Sequence, residues 1–206
     1  MKEKIAKLRG YIRKHPMFTT VLSALFDIVY GLFYGALAKR KSSYWFLTLC
    51  VYYLIIGIMR LILASLDLKD EKAESRALKI YGVCFLFLSV IFSGMTFLTI
   101  YENRNMGKNE IVMIAIATYT FAILIMAIIN TIKARKSSSV KMIILRNISL
   151  IAAAGSMMSL TRGMLGAFAD GQSDFAFIMN AISGALVFIL TLYISIKMIK
   201  NKKVIL

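Results

Sequence analysis

Residues 44–66 read YWFLTLCVYYLIIGIMRLILASL, a run interrupted by a single charge, Arg60. A segment needs about 20 predominantly apolar residues to cross a hydrocarbon core of ~30 Å, so this run is long enough to span a bilayer. It lacks the strict alternation of a membrane β-strand, which excludes a barrel. In lipid every backbone N–H and C=O must be satisfied within the segment, so the run is a helix. Five further runs of the same kind occupy most of the 206-residue chain: Met17–Ala38, Lys79–Tyr101, Glu110–Lys133, Ile143–Phe168 and Phe175–Lys197. The predicted fold is an all-α membrane protein, a bundle of six transmembrane helices forming one domain over residues 17–206.

Composition agrees. Hydrophobic residues make up 59% of the chain, above the ~45–50% apolar usage of soluble domains. The loops are short, and a second, soluble domain is not expected. The net charge of +16 raises the question of nucleic acid, but the Lys and Arg residues lie at span ends, where the positive-inside rule places them. With the N-terminus inside, eighteen Lys and Arg fall in cytoplasmic segments and five in outside loops. Both termini are therefore expected in the cytoplasm, in a multi-pass protein of the plasma membrane. The expected contacts are the lipid bilayer and anionic headgroups at the cytoplasmic face, with no nucleic acid. One feature is discordant: Lys39, Arg40 and Lys41 stand together on the outside.

Residues 1–16 form a basic N-terminal segment. Ile5, Leu8 and Ile12 recur at helical spacing among Lys2, Lys4, Lys7, Arg9, Arg13 and Lys14, the pattern of a short amphipathic helix lying on the inner leaflet. The full-length span that follows, with no small-x-small site, reads against a cleavable signal peptide. Cys50 and Cys84 fall in opposite halves of their spans, roughly 15 Å apart along the axis, too far for a disulfide.

The spans show weak repetition. Tyr52 and Met59 have the spacing of Tyr119 and Met126, and Lys133 and Lys197 close their spans alike. A step of roughly 64–67 residues admits three tandem helical hairpins, although similar apolar composition also produces such matches. The run TYTFAILIMAIINTIKARK (118–136), followed by LRNISL (145–150), resembles an uncharacterised family of small six-span membrane proteins of low-GC Gram-positive bacteria. The likeness covers mainly spans 4 to 6. It implies a six-span fold in a bacterial plasma membrane and carries over no chemistry.

Ionisable groups inside the bilayer are candidates for function, because each costs ~2.5–3.5 kcal/mol at mid-helix on insertion scales. Asp27 lies near the midplane of span 1. It either handles a cation or proton, or is a structural partner for an arginine. Arg60, about five residues to the inner side of the middle of span 2, is the natural partner, or else snorkels to the interface. Arg162, near the outer end of span 5, completes the candidate polar site, either turned toward Asp170 and the headgroups or lining an outward vestibule. Arg146 reads as an interface anchor. Asn130, Asn147 and Asn180 are secondary polar positions of the kind that hydrogen-bond between helices. Gly31 and Gly35 form a GxxxG pair, suited to an intramolecular or a dimer contact. Gly155 and Gly184 lie in small-residue faces that suggest a tight pairing of spans 5 and 6.

Enzyme signals are poor. The only histidine is His15, and no metal-ligand cluster, GxSxG elbow or P-loop is present. No enzymatic activity, metal or cofactor is expected. Two functions fit: a small transporter or channel for an ion or small charged solute, with its polar site around Asp27; or a non-transporting module that binds lipid or a partner protein, including a second copy of the chain. Orientation is directly testable once Cys50 and Cys84 are replaced. Ser138→Cys and Lys203→Cys should resist a membrane-impermeant thiol reagent in intact cells, and Gln172→Cys should label. The opposite labelling pattern would invert the topology.

Overall fold

The structure, a computed structural model, describes residues 16–68, 70–102, 110–136, 139–168 and 173–200. The amphipathic helix expected before Pro16 lies outside these residues. Six helices follow in order: α1 Pro16–Lys41, α2 Tyr44–Ser65, α3 Glu71–Glu102, α4 Glu110–Lys136, α5 Val140–Phe168 and α6 Ser173–Ile199. Each contains a stretch long and apolar enough to cross a membrane, and there is no strand among the described residues. The architecture is an all-α bundle of six membrane-spanning helices.

Local chemistry sets several helix ends. α1 closes on Lys39, Arg40 and Lys41, cations that complement the negative end of the helix dipole. Ser42 then takes a positive φ of 47°, and α2 starts within two residues. α3 opens with Glu71 and Glu74 in its first turn, the charge its N-terminus favours. The last carbonyls of α2 are met by another helix: Lys141 Nζ of α5 donates to Ala64 O at 3.1 Å and to Leu66 O at 2.9 Å.

The bundle has three principal pairs: α1 with α2, α3 with α6, and α4 with α5. The three tandem hairpins are therefore not the arrangement among the described residues. α4 and α5 form a hairpin, nested within an antiparallel pair of α3 and α6. Glycines explain the α3–α6 pair. A Cβ on Gly82 would lie 3.0 Å from the backbone N of Ile199, and Ser195 Oγ donates to Gly82 O at 2.7 Å. At the other end Gly184 faces Thr96. The small-residue face of α6 thus serves α3, whereas that of α5 receives α2: a Cβ on Gly155 would meet the Tyr52 hydroxyl at 2.7 Å. The GxxxG face of α1 is spent inside the chain. Gly31 lies against Cys50 O and Leu54, and Gly35 against Cys50 Sγ. Cys50 and Cys84 are both free thiols.

α5 is the central helix, with 83% of its apolar span enclosed by protein against 22% for α6. Polar groups within the spans are buried, together with large side chains such as Trp45, Phe85 and Phe92, while other large apolar side chains face outward. Asp27, Arg60, Thr120, Asn147, Ser156 and Thr191 are buried, whereas Phe26, Val29, Phe87, Ile125, Leu186 and Ile189 are exposed. Lipid tails are as apolar as leucine, so burying leucine drives little; hydrogen bonds and close packing between helices set the interior instead.

The α3–α6 contact can be checked by cross-linking. A Cβ on Gly184 would lie 3.1 Å from Thr96 Cβ, near the ~3.8 Å separation in a disulfide. In a background without Cys50 and Cys84, Thr96→Cys with Gly184→Cys should bridge under oxidant and separate under reductant. Failure to bridge would contradict the pairing.

Candidate functional site

The buried face of α1 carries Thr20, Ser23, Ala24, Asp27, Tyr30, Gly31 and Tyr34, the recurrence of one side of a helix. On α2, Tyr53, Ile56 and Arg60 share a buried stripe, and α4 adds Ile116, Tyr119 and Ile123. These three faces meet at Asp27. Arg60 Nε lies 2.8 Å from Asp27 Oδ2, both side chains being 0% exposed. The Tyr119 hydroxyl donates to Asp27 Oδ1 at 2.8 Å. The structure thus joins two of the three predicted site residues and adds a third partner from a third helix.

The contact with Arg60 is an ion pair whose angles fall short of a hydrogen bond. Arg60 Nη1 and Nη2 have no hydrogen-bond partner among the described residues, and neither does the buried Tyr53 hydroxyl. Asp27 Oδ2 and the three Arg60 nitrogens meet no water-sized space. Two cavities lined by described residues border the bundle. One of about 450 Å³ is an apolar groove between α4, α5 and α6, lined by Leu124, Ala127, Leu150, Ala153, Met157 and Leu190. The other, of about 330 Å³, lies at the α1–α2 turn. Neither is lined by Asp27 or Arg60.

From the ion pair an aromatic column runs to the far end of α1. The Tyr119 ring stacks on Tyr30 with centroids 3.4 Å apart. Tyr53 packs edge-on to Tyr30 at 5.0 Å and stacked on Tyr34 at 5.8 Å, separations typical of favourable aromatic pairs. The Tyr30 and Tyr34 hydroxyls are 3.0 Å apart, and Tyr34 passes the chain on to Ser159 Oγ of α5. Beyond Tyr34 lie Phe46 and Trp45.

Arg162 belongs to that end. Its guanidinium sits 4.3 Å above the Trp45 ring centroid, a cation–π contact, and it is not joined to Asp27. Asn130 donates to Ser149 Oγ at 2.7 Å across the α4–α5 pair. Asn147 is fully buried and contacts Met198 Sδ of α6. Arg146 is no interface anchor: it is 3% exposed, and its Nε and Nη2 donate to Asn147 Oδ1. Asn180 is half-buried on α6, where its carbonyl accepts from Ser183 Oγ at 3.0 Å. The tyrosines were not predicted as site residues. Their signal was the spacing of Asp27, Tyr30 and Tyr34 and of Tyr53 and Arg60, which puts each set on one helix face. Among the described residues no group of three His, Cys, Asp or Glu could hold a metal ion.

No family model, curated protein or solved structure matches this chain.

The pair makes a sharp stability prediction. Breaking a buried ion pair by removing one partner costs ~3–5 kcal/mol, because the remaining charge is uncompensated. Asp27→Asn and Arg60→Gln should each lower the thermal midpoint in detergent, and the double variant should recover part of the loss. Strictly additive losses would mean that the two charges are not coupled.

Proposed function

We propose that this protein is a non-transporting module of a bacterial plasma membrane, binding lipid or a partner membrane protein through its outer surface, with Asp27, Arg60 and Tyr119 as its structural lock. The observation that carries this reading is the closure of the lock. A midplane carboxylate that handled a solute would need to meet water from one side. Here both of its oxygens are engaged by neighbouring side chains, and the pair meets no water-sized space. The charge bias of the loops supports cytoplasmic termini and an inner face that contacts anionic headgroups. The protein partner expected is a second copy of the chain or another membrane protein.

A second reading, a small transporter or channel for an ion or charged solute, draws on one observation. Arg60 keeps two unspent nitrogens beside Asp27, and Tyr53 an unspent hydroxyl within the tyrosine column. Buried donors without acceptors are costly, and an alternative packing that exposed them to water or an anion would recover that cost.

Flux measurements separate the two. Purified protein in liposomes under a clamped potential should pass H⁺, K⁺, Na⁺ and Cl⁻ no faster than empty liposomes. A protein-dependent flux of any of these, lost in Asp27→Asn with the fold intact, would reverse the assignment in favour of transport.

A further inference from the structure

The basic triplet Lys39, Arg40 and Lys41 is the one group of charges that the positive-inside pattern leaves unexplained. It stands at the edge of the smaller cavity, of about 330 Å³, lined by Gly35, Ala38, Lys39, Ser42, Ser43 and Leu47 together with Tyr44. This volume lies at the low end of the ~300–1,000 Å³ range of small-molecule sites, a fit for one polar headgroup. The lining is divided. Gly35, Ala38 and Leu47 are apolar and belong to the helix walls, whereas Lys39, in the last turn of α1, and Ser42 and Ser43, between the helices, are polar. A phospholipid has the same division at the same depth, since its phosphate lies at the interface and its acyl chains begin just below.

We propose that this cavity is a binding site for the phosphate headgroup of an anionic phospholipid in the leaflet opposite the chain termini. Lys39 and Arg40 are exposed and have no acidic partner among the described residues. Lys41 does not line the cavity; it leans over the Phe46 ring, 5.8 Å from its centroid, and adds a third cation to the same helix end. The Ser42 hydroxyl, on the lining, can donate to a phosphate oxygen. The outward apolar residues Leu32 and Leu47 continue below the turn on α1 and α2, where an acyl chain would run. The triplet then has a reason to break the charge bias: its cations serve a ligand. This inference rests on the reading of the protein as a lipid-binding module and names the lipid class and the place.

Trp45 is the only tryptophan of the chain and is buried, so the reporter is Tyr44→Trp in a Trp45→Phe background, at an exposed position on the lining, with the wild-type turn cations kept. The test uses full-length protein in nanodiscs of phosphatidylcholine and phosphatidylglycerol, with one lipid or the other carrying brominated acyl chains. The ratio of quenching yields the relative affinity. Each Lys or Arg near a lipid surface contributes about fivefold in affinity for anionic lipid, the equivalent of ~1 kcal/mol. Protein with the wild-type cations should therefore prefer phosphatidylglycerol at this reporter by roughly tenfold or more. The combination of Lys39→Gln, Arg40→Gln and Lys41→Gln should abolish the preference. So should Ala38→Phe, which fills the cavity and keeps every charge. Lys72→Gln with Lys79→Gln and Lys200→Gln, at the other end of the bundle, should leave it intact. Thermal melts confirm that each variant is folded; if Ala38→Phe is not, Leu47→Phe fills the cavity from the α2 wall in its place and should likewise abolish the preference. Absence of a preference with the wild-type cations, or its survival in the triple turn variant, overturns the proposal. A preference unchanged by filling the cavity assigns it to diffuse charge and overturns the site. Loss of the preference on adding inorganic phosphate at constant ionic strength reassigns the site to the free anion. A flux found in liposomes with this preference intact would refute the non-transporting assignment and leave the lipid site standing.

Discussion

The ion pair between Asp27 and Arg60 is the constraint on which the interior depends. Two charges near the middle of a hydrocarbon layer are costly singly and tolerable only together. Their contact fixes the rotation of α1 against α2, because neither helix can turn without parting them. Gly31, Gly35 and Gly57 then become the positions where the two backbones come close: a Cβ on Gly57 would lie 2.6 Å from Ile28 Cγ1 and 3.2 Å from Ala24 O. With the rotation set, Tyr30 and Tyr34 face Tyr53, and Tyr119 enters from α4 to complete the carboxylate. A single electrostatic requirement thus orders three helices, and the tyrosine column follows from it.

The rest of the bundle is held by different means. α3 and α6 meet through glycine contacts and one serine-to-carbonyl bond. α4 and α5 are joined by Asn130 to Ser149 and by Thr120 Oγ1 to Ser156 O at 3.2 Å. Such bonds are individually modest, ~0.6 kcal/mol on average within membranes. Spread along whole helices and combined with close packing, they suffice where lipid gives no hydrophobic incentive for helices to associate. Thr120 and Asn130 lie on the face of α4 that meets α5, and Tyr119, one residue from Thr120, reaches instead to α1. α4 therefore links the electrostatic half of the molecule to the hydrogen-bonded half.

Legibility in the sequence divides along the same line. The six spans were plain because length and hydropathy suffice to define a membrane helix. The partnership of Asp27 and Arg60 was also readable, since two isolated opposite charges in consecutive spans have few other ways to be accommodated. Helix pairing beyond α1 and α2 was not. α3 to α6 carry scattered Ser, Thr and Asn among apolar residues, so no strongly amphipathic face marks the partner of each helix. Gly184 was visible as a small residue, but that it receives Thr96 of α3 rather than α5 depends on three-dimensional fit. Arg146 misled for a related reason. Its place at a helix end suggested snorkelling, yet Asn147 beside it supplies an acceptor and lets the guanidinium stay inside.

Lys141 reaches back 77 residues to the carbonyl of Ala64 and 75 to that of Leu66. This contact gives the bundle an order in time as well as in space. A chain emerging from the ribosome lays down α1 and α2 first, with opposite charges that can neutralise each other within the hairpin. The end of α2 stays incomplete, because the lysine that caps it belongs to the fifth helix. Until α5 is inserted, those carbonyls must turn to water or headgroups. A chain truncated before α5 therefore leaves the end of α2 without its lysine cap.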